Sequence, residues 1–356
     1  MQRYIAPAVR ETSDQRSEPA VVLKARVREF ARRCAEFRGA DTRRAAIQLL
    51  NTAVPFLAIL IVMFATHDHA YWLTLLLALP AAGLAVRFFI IQHDCGHGCF
   101  FPSRAINDTL GRATSVLTVA PYGLWRRVHA KHHAGSGNLE RRGFGDIKTL
   151  TVAEYLAMPK FSRARYRIYR HPAFLFLIGV PLFFMVLQRI PWGHGLPARD
   201  AGRSVVGLDI ALIAVYGAMA SMIGWKPVLM IGLPICIIAS AIGGWLFYIQ
   251  HQFEDAHWRH DEEWDFQTAA IYGSTYYVLP KALQWFTGNI GLHHIHHLNS
   301  MIPNYRLQDC LKACPELENV NRLTLRESLG CVRLALWDET HGKLVSFREA
   351  VSAENR

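Results

Sequence analysis

The chain has 356 residues, 51% of them hydrophobic, with a positive mean hydropathy and a formal charge of +11. Such a composition fits either one large globular domain or a small polytopic membrane protein, and the lengths of the apolar runs decide between them. The basic excess would suit nucleic-acid binding, but the arginines flank apolar runs and no nucleic-acid motif accompanies them, which excludes a nucleic-acid partner.

Met1 to about Ser17 is polar, without the short charged region and apolar core of a cleaved signal peptide, so insertion is expected to rely on the first span. Pro19 then opens a segment with Leu23, Val27, Phe30, Cys34 and Phe37 on one face and Lys24, Arg26, Arg28, Arg32 and Arg33 on the other, closed by Gly39. Two readings stay open for it: a helix lying on the inner membrane surface, or one docked on a cytoplasmic domain.

The runs Ala45 to Ala65, Tyr71 to Ile91, Val205 to Gly224 and Val228 to Tyr248 each hold about 20 residues and at most one charge, enough to cross a hydrocarbon core of about 30 Å. The first two are joined by Thr66-His67-Asp68-His69-Ala70 and the last two by Trp225-Lys226-Pro227, so each pair is expected to form a hairpin. Lys and Arg gather in the N-terminal segment and between Arg104 and Arg170, which places those regions on the cytoplasmic side. Residues 107–120, begun by an Asn107-Asp108 cap and ended by Pro121, are too short to span and are expected to dip in from that side. The stretch 172–188 is broken by Gly179 and Pro181 and is expected to enter and return, giving four crossings. Seven cysteines show no framework spacing, which argues for reduced thiols.

Eight of the 17 histidines fall into three sets. His93 and His97 stand at i and i+4, while His129, His132 and His133, and His293, His296 and His297, stand at i, i+3 and i+4, so each set lies on one face of a helix. Isolated histidines such as His67, His194 and His341 are expected to be solvated or hydrogen-bonded. Neutral imidazole suits iron, zinc, copper or nickel, but eight such ligands are twice what one tetrahedral zinc takes and no thiolate pair goes with them, so two metal ions fit better than one. Asp94, not Glu, follows His93, which excludes the zinc-protease motif. A redox metal pair beside lipid suits oxygen activation, because a hydrocarbon C–H bond offers no acidic proton, and iron is the metal expected.

Pro303 to Arg356 is soluble in character: Thr324 and Glu327 make a capping box, and Leu325, Leu329, Val332 and Leu336 form one apolar stripe expected to pack as a helix on the histidine domain. Domain boundaries are accordingly expected at 1–43 (cytoplasmic segment), 44–303 (membrane domain) and 304–356 (cytoplasmic C-terminal helices).

The three boxes in this order, with a spanning hairpin before the third, resemble the membrane fatty acyl desaturases. The phrases Pro121-Tyr122-Gly123-Leu124-Trp125, Ser136-Gly137-Asn138-Leu139, Phe247 to Glu254 and Gly288-Asn289-Ile290-Gly291-Leu292 resemble the bacterial acyl-lipid, delta-12/omega-6-like branch, and the resemblance covers roughly residues 44–310. It implies an all-α integral membrane protein with four transmembrane helices, re-entrant or interfacial helices and a cytoplasmic helical cap, in a bacterial inner membrane with its active site on the cytoplasmic side. It implies that His93, His97, His129, His132, His133, His293, His296 and His297 bind two irons, that O2 is cosubstrate to a membrane lipid or acyl chain, and that electrons come from a separate ferredoxin-like or cytochrome-b5-like donor. The resemblance to animal acyl-CoA desaturases further implies a ninth ligand at the inner end of the fourth span, where His251 stands. Phe247 occupies the place of the asparagine that those enzymes carry four residues earlier, so a water-bridged amide ligand is lost or supplied from elsewhere. Asp94 is expected to orient an imidazole and His294 to turn away from the metals, while His257 and His260 are expected at the surface. A hydroxylase, ketolase or monooxygenase would use the same boxes, whereas a metal carrier would need ionisable residues inside the spans.

Overall fold

The computed structural model describes residues 20–193 and 196–354; Met1 to Ser17, Pro19 and His194 lie outside them. Four long helices make its frame: α2 (Thr42–Thr66), α3 (Tyr71–His97), α8 (Ala198–Ile223) and α9 (Trp225–His251). Lipid-facing side chains such as Leu57, Ile61, Leu76, Ile210 and Ile213 stay exposed along them, whereas Ala78, Ala81, Ala82, Leu84 and Ile91 of α3 are buried against α2 and α9. In water that exposed apolar belt would be costly; in hydrocarbon it costs nothing. Among the described residues five helical stretches are long and apolar enough to cross a membrane, the fifth being Pro172–Arg189.

The two hairpin turns meet at one end of the frame, where Lys226 Nζ lies 3.3 Å from Asp68 Oδ1. The second turn is tighter than its sequence implies: Gly224 alone makes it, at φ +83°, and Trp225, Lys226 and Pro227 are already helical. At the other end α3 runs two turns beyond the expected span to His97, stopped by Gly98 at φ +79°, a left-handed position that glycine fills without strain.

Helices α4 (Arg104–Thr118) and α5 (Tyr122–Gly135) form the hairpin between the first two boxes. The cap of α4 is Ser103, whose Oγ accepts from Ile106 N, and not Asn107-Asp108. Asn107 instead closes the preceding turn through both Phe101 N and Phe101 O, because a buried amide there must satisfy itself locally. The hairpin tip stays at the depth of the first box, since Gln92 donates to Ala120 O at 3.0 Å.

Both ends of the stretch 172–189 lie at the histidine end of the frame. Arg170, just before it, donates to Gln252 Oε1 at 2.8 Å, and Arg189 donates to Val119 O at 2.6 Å at the hairpin tip. Its middle is a π-helical turn, Leu175–Gly179, running into Pro181.

Ahead of the frame, α1 (Ala20–Cys34) buries Val27, Phe30 and Cys34 in one cluster with Ile271, Leu307, Cys310 and Cys314, so its apolar face is docked on the cap and not laid on lipid. The cap is mostly helical but carries short strands. β1 (Leu150–Thr151) pairs in parallel with β4 (Leu334–Asp338), which pairs antiparallel with β5 (Lys343–Ser346); β2 (Tyr276–Val278) pairs in parallel with β3 (Arg322–Thr324). The Thr324–Glu327 capping box forms and opens α14 (Leu325–Cys331), but that helix stops before the stripe ends. Leu336 lies in β4, fully buried, while Leu325 and Leu329 face outward, 44% and 62% exposed. The i, i+4, i+7 spacing hid a helix-to-strand change at Val332, where pairing with β1 and β5 overrides the helical period.

Candidate metal centre

Each box is held by a different local device. The first rides on the last turns of α3; the second sits on α5, where Trp125 stacks on His129 with ring centroids 4.4 Å apart. The third occupies the six-residue α12 (His293–Leu298), too short to be stable alone. It is fastened by a close backbone approach, Tyr277 N to Gly291 O at 2.7 Å, where any Cβ on Gly291 would stand 2.5 Å from Tyr277 O. His294 adds a second fastening: its Nε2 bonds Leu317 O at 3.0 Å, and burial pushes its pKa down to about 4, leaving it a neutral donor.

The nine expected ligands come together in two groups, with the ligand atoms of each within 4.8 Å of one another: His93, His97, His129, His133 and His296, and His132, His251, His293 and His297. His97 is partly buried and the rest are buried. His294 belongs to neither group, and His260 is at the surface between Glu140 and Glu339, 57% exposed. His257 is half-buried outside both groups.

The contacts inside the groups are those of lone pairs converging on a cation. Nε2 of His129 faces Nε2 of both His93 (3.1 Å) and His133 (3.0 Å), and Nε2 of His133 also faces Nε2 of His296 (3.1 Å). In the second group Nε2 of His251 faces Nε2 of His132 (3.1 Å) and of His293 (3.0 Å). A ring nitrogen has one in-plane position, either a proton or a lone pair, so one nitrogen cannot serve two such neighbours by hydrogen bonding. A shared cation can: two nitrogens about 2.1 Å from one ion stand about 3.0 Å apart at a right angle and about 3.4 Å apart at a tetrahedral angle. Nε2 of His97 and of His297 are buried with no hydrogen-bond partner, as ligands awaiting an ion would be. The donor set thus fits two ions, one among five imidazoles and the other among four.

Protonation is arranged for the same end. Burial first, and then the neighbouring imidazoles, hold His129, His133, His293, His296 and His297 well below the usual histidine pKa, so they are neutral and their lone pairs are free. Three ligands have their tautomer fixed from outside. His93 Nδ1 donates to Asp94 Oδ1 at 2.9 Å, and Asp94 Oδ2 is in turn held by Asn304 N and Nδ2 at 2.6 and 2.8 Å. His132 Nδ1 donates to Asp146, and His251 Nδ1 to Gly273 O at 3.2 Å. A proton fixed on Nδ1 leaves Nε2 as the ligand atom. Of these partners only Asp94 is marked by its place in a box. Asp146 and Asn304 follow the second and third boxes by 13 and 7 positions, and Gly273 precedes the third by 20; the one signal for Asp146 is an acid between glycines and a lysine soon after the second box.

A water-bridging amide has no counterpart at Phe247, whose ring packs against His132 and His251 with centroids 5.2 and 5.4 Å away. Beside it lies a small, partly open cavity of about 20 Å³ lined by Asp146, Phe247, His251 and Gln252, among others, enough for a single water.

The family model for fatty acid desaturases matches residues 69–324, which takes in all three boxes and His251. A fatty acid desaturase of Bacillus subtilis is 42% identical over 322 residues, 90% of this chain and 91% of that protein. An sn-1 oleoyl-lipid 12-desaturase of Synechocystis is 26% identical over 62% of each chain. An sn-1 acyl-lipid omega-3 desaturase (ferredoxin) of Nostoc is 25% identical over 70% of this chain and 68% of its own. With three histidine boxes converging at one end of an apolar helical frame and a family match across most of its length, the chain belongs to the fatty acid desaturases, oxidoreductases of lipid metabolism.

Proposed function

We propose that the two histidine groups hold two iron ions, and that the protein uses O2 to place a cis double bond in a lipid-linked acyl chain at the cytoplasmic face of a bacterial inner membrane. The observation that carries this reading is the division of nine imidazoles, eight of them buried, into two convergent groups at one end of the apolar helical frame. The ligands are His93, His97, His129, His133 and His296 for one ion and His132, His251, His293 and His297 for the other.

When bound, the iron pair supplies oxygen activation and removal of hydrogen from an unactivated C–H bond, which no side chain can do by acid or base catalysis. The chain's own residues supply the rest. Asp94, Asp146 and the Gly273 carbonyl keep the ligand nitrogens unprotonated and aimed. Trp125, Phe89 and Phe184, in successive edge contacts of 5.3 and 6.1 Å, wall one group with aromatic surface and keep water from it. The overall balance is two hydrogens from the chain plus two electrons and two protons, which reduce O2 to two waters. The electrons have to come from a separate carrier, ferredoxin-like or cytochrome-b5-like; the ferredoxin named with the Nostoc relative supports the former. The acyl-lipid names of the cyanobacterial relatives support a lipid-linked substrate.

The same reading gives four crossings. α2 leads out, α3 returns, α8 leads out and α9 returns, which leaves every box on one side; the stretch 172–189, tethered at both ends near the boxes, does not cross. Expression in a host with a simple fatty-acid profile, followed by mass-spectrometric location of new double bonds, tests the function. A hydroxylated product in place of an alkene would replace it with the related oxygenase reading.

A further inference from the structure

Two short helices outside the long frame present apolar side chains away from the protein beside the end of α9 that carries His251. In α7 (Lys160–Arg170), Phe161 and Ile168 are 74% and 57% exposed. At about 100° per residue they lie almost in one line, with Ala164 beside them, directly opposite the buried Tyr166 and Arg170. Exposed Lys160 and Arg165 flank that line on its two sides. In α14, Leu325 and Leu329 lie one turn apart on the outer face, with exposed Arg326 beside them and exposed Arg333 just beyond the helix, while Ser328 and Cys331 face inward. This helix begins directly after the last residue matched by the desaturase family model.

Both helices are fixed to the final turns of α9. Arg170 donates to Gln252 Oε1 (2.8 Å) and Tyr248 OH (3.3 Å), beside His251. Tyr248 OH donates to Cys331 O (3.1 Å), and Tyr277 OH contacts Ser328 Oγ (3.1 Å) while accepting from Trp245 Nε1 (3.3 Å). The broken stretch 172–189, which follows α7 directly after His171, exposes Leu177 and Ile178 at 65% and 54% as well. An outward apolar line bordered by cations, continuous with surface already facing lipid, has one fitting occupant: the anionic headgroup layer of the same membrane.

We propose that α7 and α14 seat the cap on the inner leaflet, Phe161, Ile168, Leu325 and Leu329 entering the headgroup boundary while Lys160, Arg165, Arg326 and Arg333 meet anionic headgroups. The inference takes its leaflet from the four-crossing topology, but its contacts can be read without metal or turnover, so its failure is separable from failure of the desaturase reading.

The test places the photo-crosslinking residue benzoylphenylalanine at position 161, 329 or, as control, the exposed Glu349 of α15 (Phe347–Glu354), in full-length protein. Each variant is reconstituted in vesicles of phosphatidylglycerol and phosphatidylethanolamine in equal parts, and adduct masses are read after illumination. The expected result is lipid adducts at 161 and 329 and none at 349, with phosphatidylglycerol in about threefold excess over its share. Arg326→Glu with Arg333→Glu should return that excess to parity at 329 and leave it unchanged at 161. Absence of lipid adducts at 161 and 329, adducts to polypeptide there, or a headgroup ratio equal to the vesicle composition would overturn the proposal.

Discussion

His132 is turned toward the second histidine group by Asp146, fourteen residues farther along the chain: the carboxylate accepts the hydrogen bond from Nδ1–H, and Nε2 is left 3.1 Å from Nε2 of His251. Asp146 Oδ1 and His132 Nδ1 are paired across a boundary, since the histidine side chain is 1% exposed and the aspartate 24%.

That pairing predicts a metal defect without a folding defect. Asp146→Asn keeps the shape but offers no charge, and its amide can present a donor to Nδ1, which favours the wrong tautomer. Metal affinity of the second group should fall about 10- to 100-fold while circular dichroism stays unchanged. Asp94→Asn should do the same to the first group, and unchanged metal content in both variants would remove the orienting role.

His251 and His294 make opposite predictions. His251→Ala deletes one of four ligands in its group and should cost that ion and nearly all activity. His294→Ala should keep both ions and lose stability by about 1 kcal/mol or more, since Leu317 O loses the 3.0 Å bond from His294 Nε2 and keeps only the 3.4 Å bond from Val320 N. Metal analysis of the two purified variants settles the ranking; the reverse order would mean the two roles are exchanged.

The long helices, their tight turns and the clustering of the eight box histidines were legible in the sequence because hydropathy and i, i+3, i+4 spacing are local signals. His251 came only through a family resemblance, since a single histidine after an apolar run carries no spacing of its own. Asp146, Gly273 and Asn304 were harder to read: Asp146 reaches His132 across 14 positions, Gly273 reaches His251 across 22 and Asn304 reaches Asp94 across 210, all through tertiary packing, and only the acid after Gly145 leaves a local trace. The C-terminal strands escaped for a related reason. Leu336 continues the helical period of Leu325 and Leu329, and only pairing with Leu150 and Val345 makes it strand. The docking of α1 was likewise undecidable, because an apolar stripe bordered by arginines suits lipid and protein equally until Cys310 and Leu307 are placed against it.

Topology is tested by cysteine labelling. Trp192, 67% exposed and three residues past Arg189, should be labelled as cysteine only from the cytoplasmic side, whereas a cysteine at His69, in the first hairpin turn, should be labelled only from outside. Outside labelling at 192 would make the stretch 172–189 a fifth crossing.

Arg170 is a buried cation held by neutral acceptors alone: Lys148 O, Thr149 Oγ1, Tyr248 OH, Gln252 Oε1 and Leu334 O. Arg170→Ala removes all five of these bonds at once, beside the turn that carries His251, and leaves the acceptors only their weaker remaining partners, such as Tyr166 OH on Lys148 O and Thr149 Oγ1 on Gln252 Oε1. A loss of about 3 kcal/mol or more is expected. Thermal unfolding in detergent should drop by several degrees, and Arg170→Lys should restore only part of it, since one ammonium cannot reach five acceptors. An unchanged melting temperature in Arg170→Ala would show that the network does not hold the cap to α9.

The central claim, two ions in two histidine groups, is tested most directly by the metal content of the purified full-length protein, measured by inductively coupled plasma mass spectrometry. The account predicts two irons per chain with little zinc in the wild type, and about one in His251→Ala. One ion per chain in the wild type, or zinc filling the sites of an active enzyme, would contradict it.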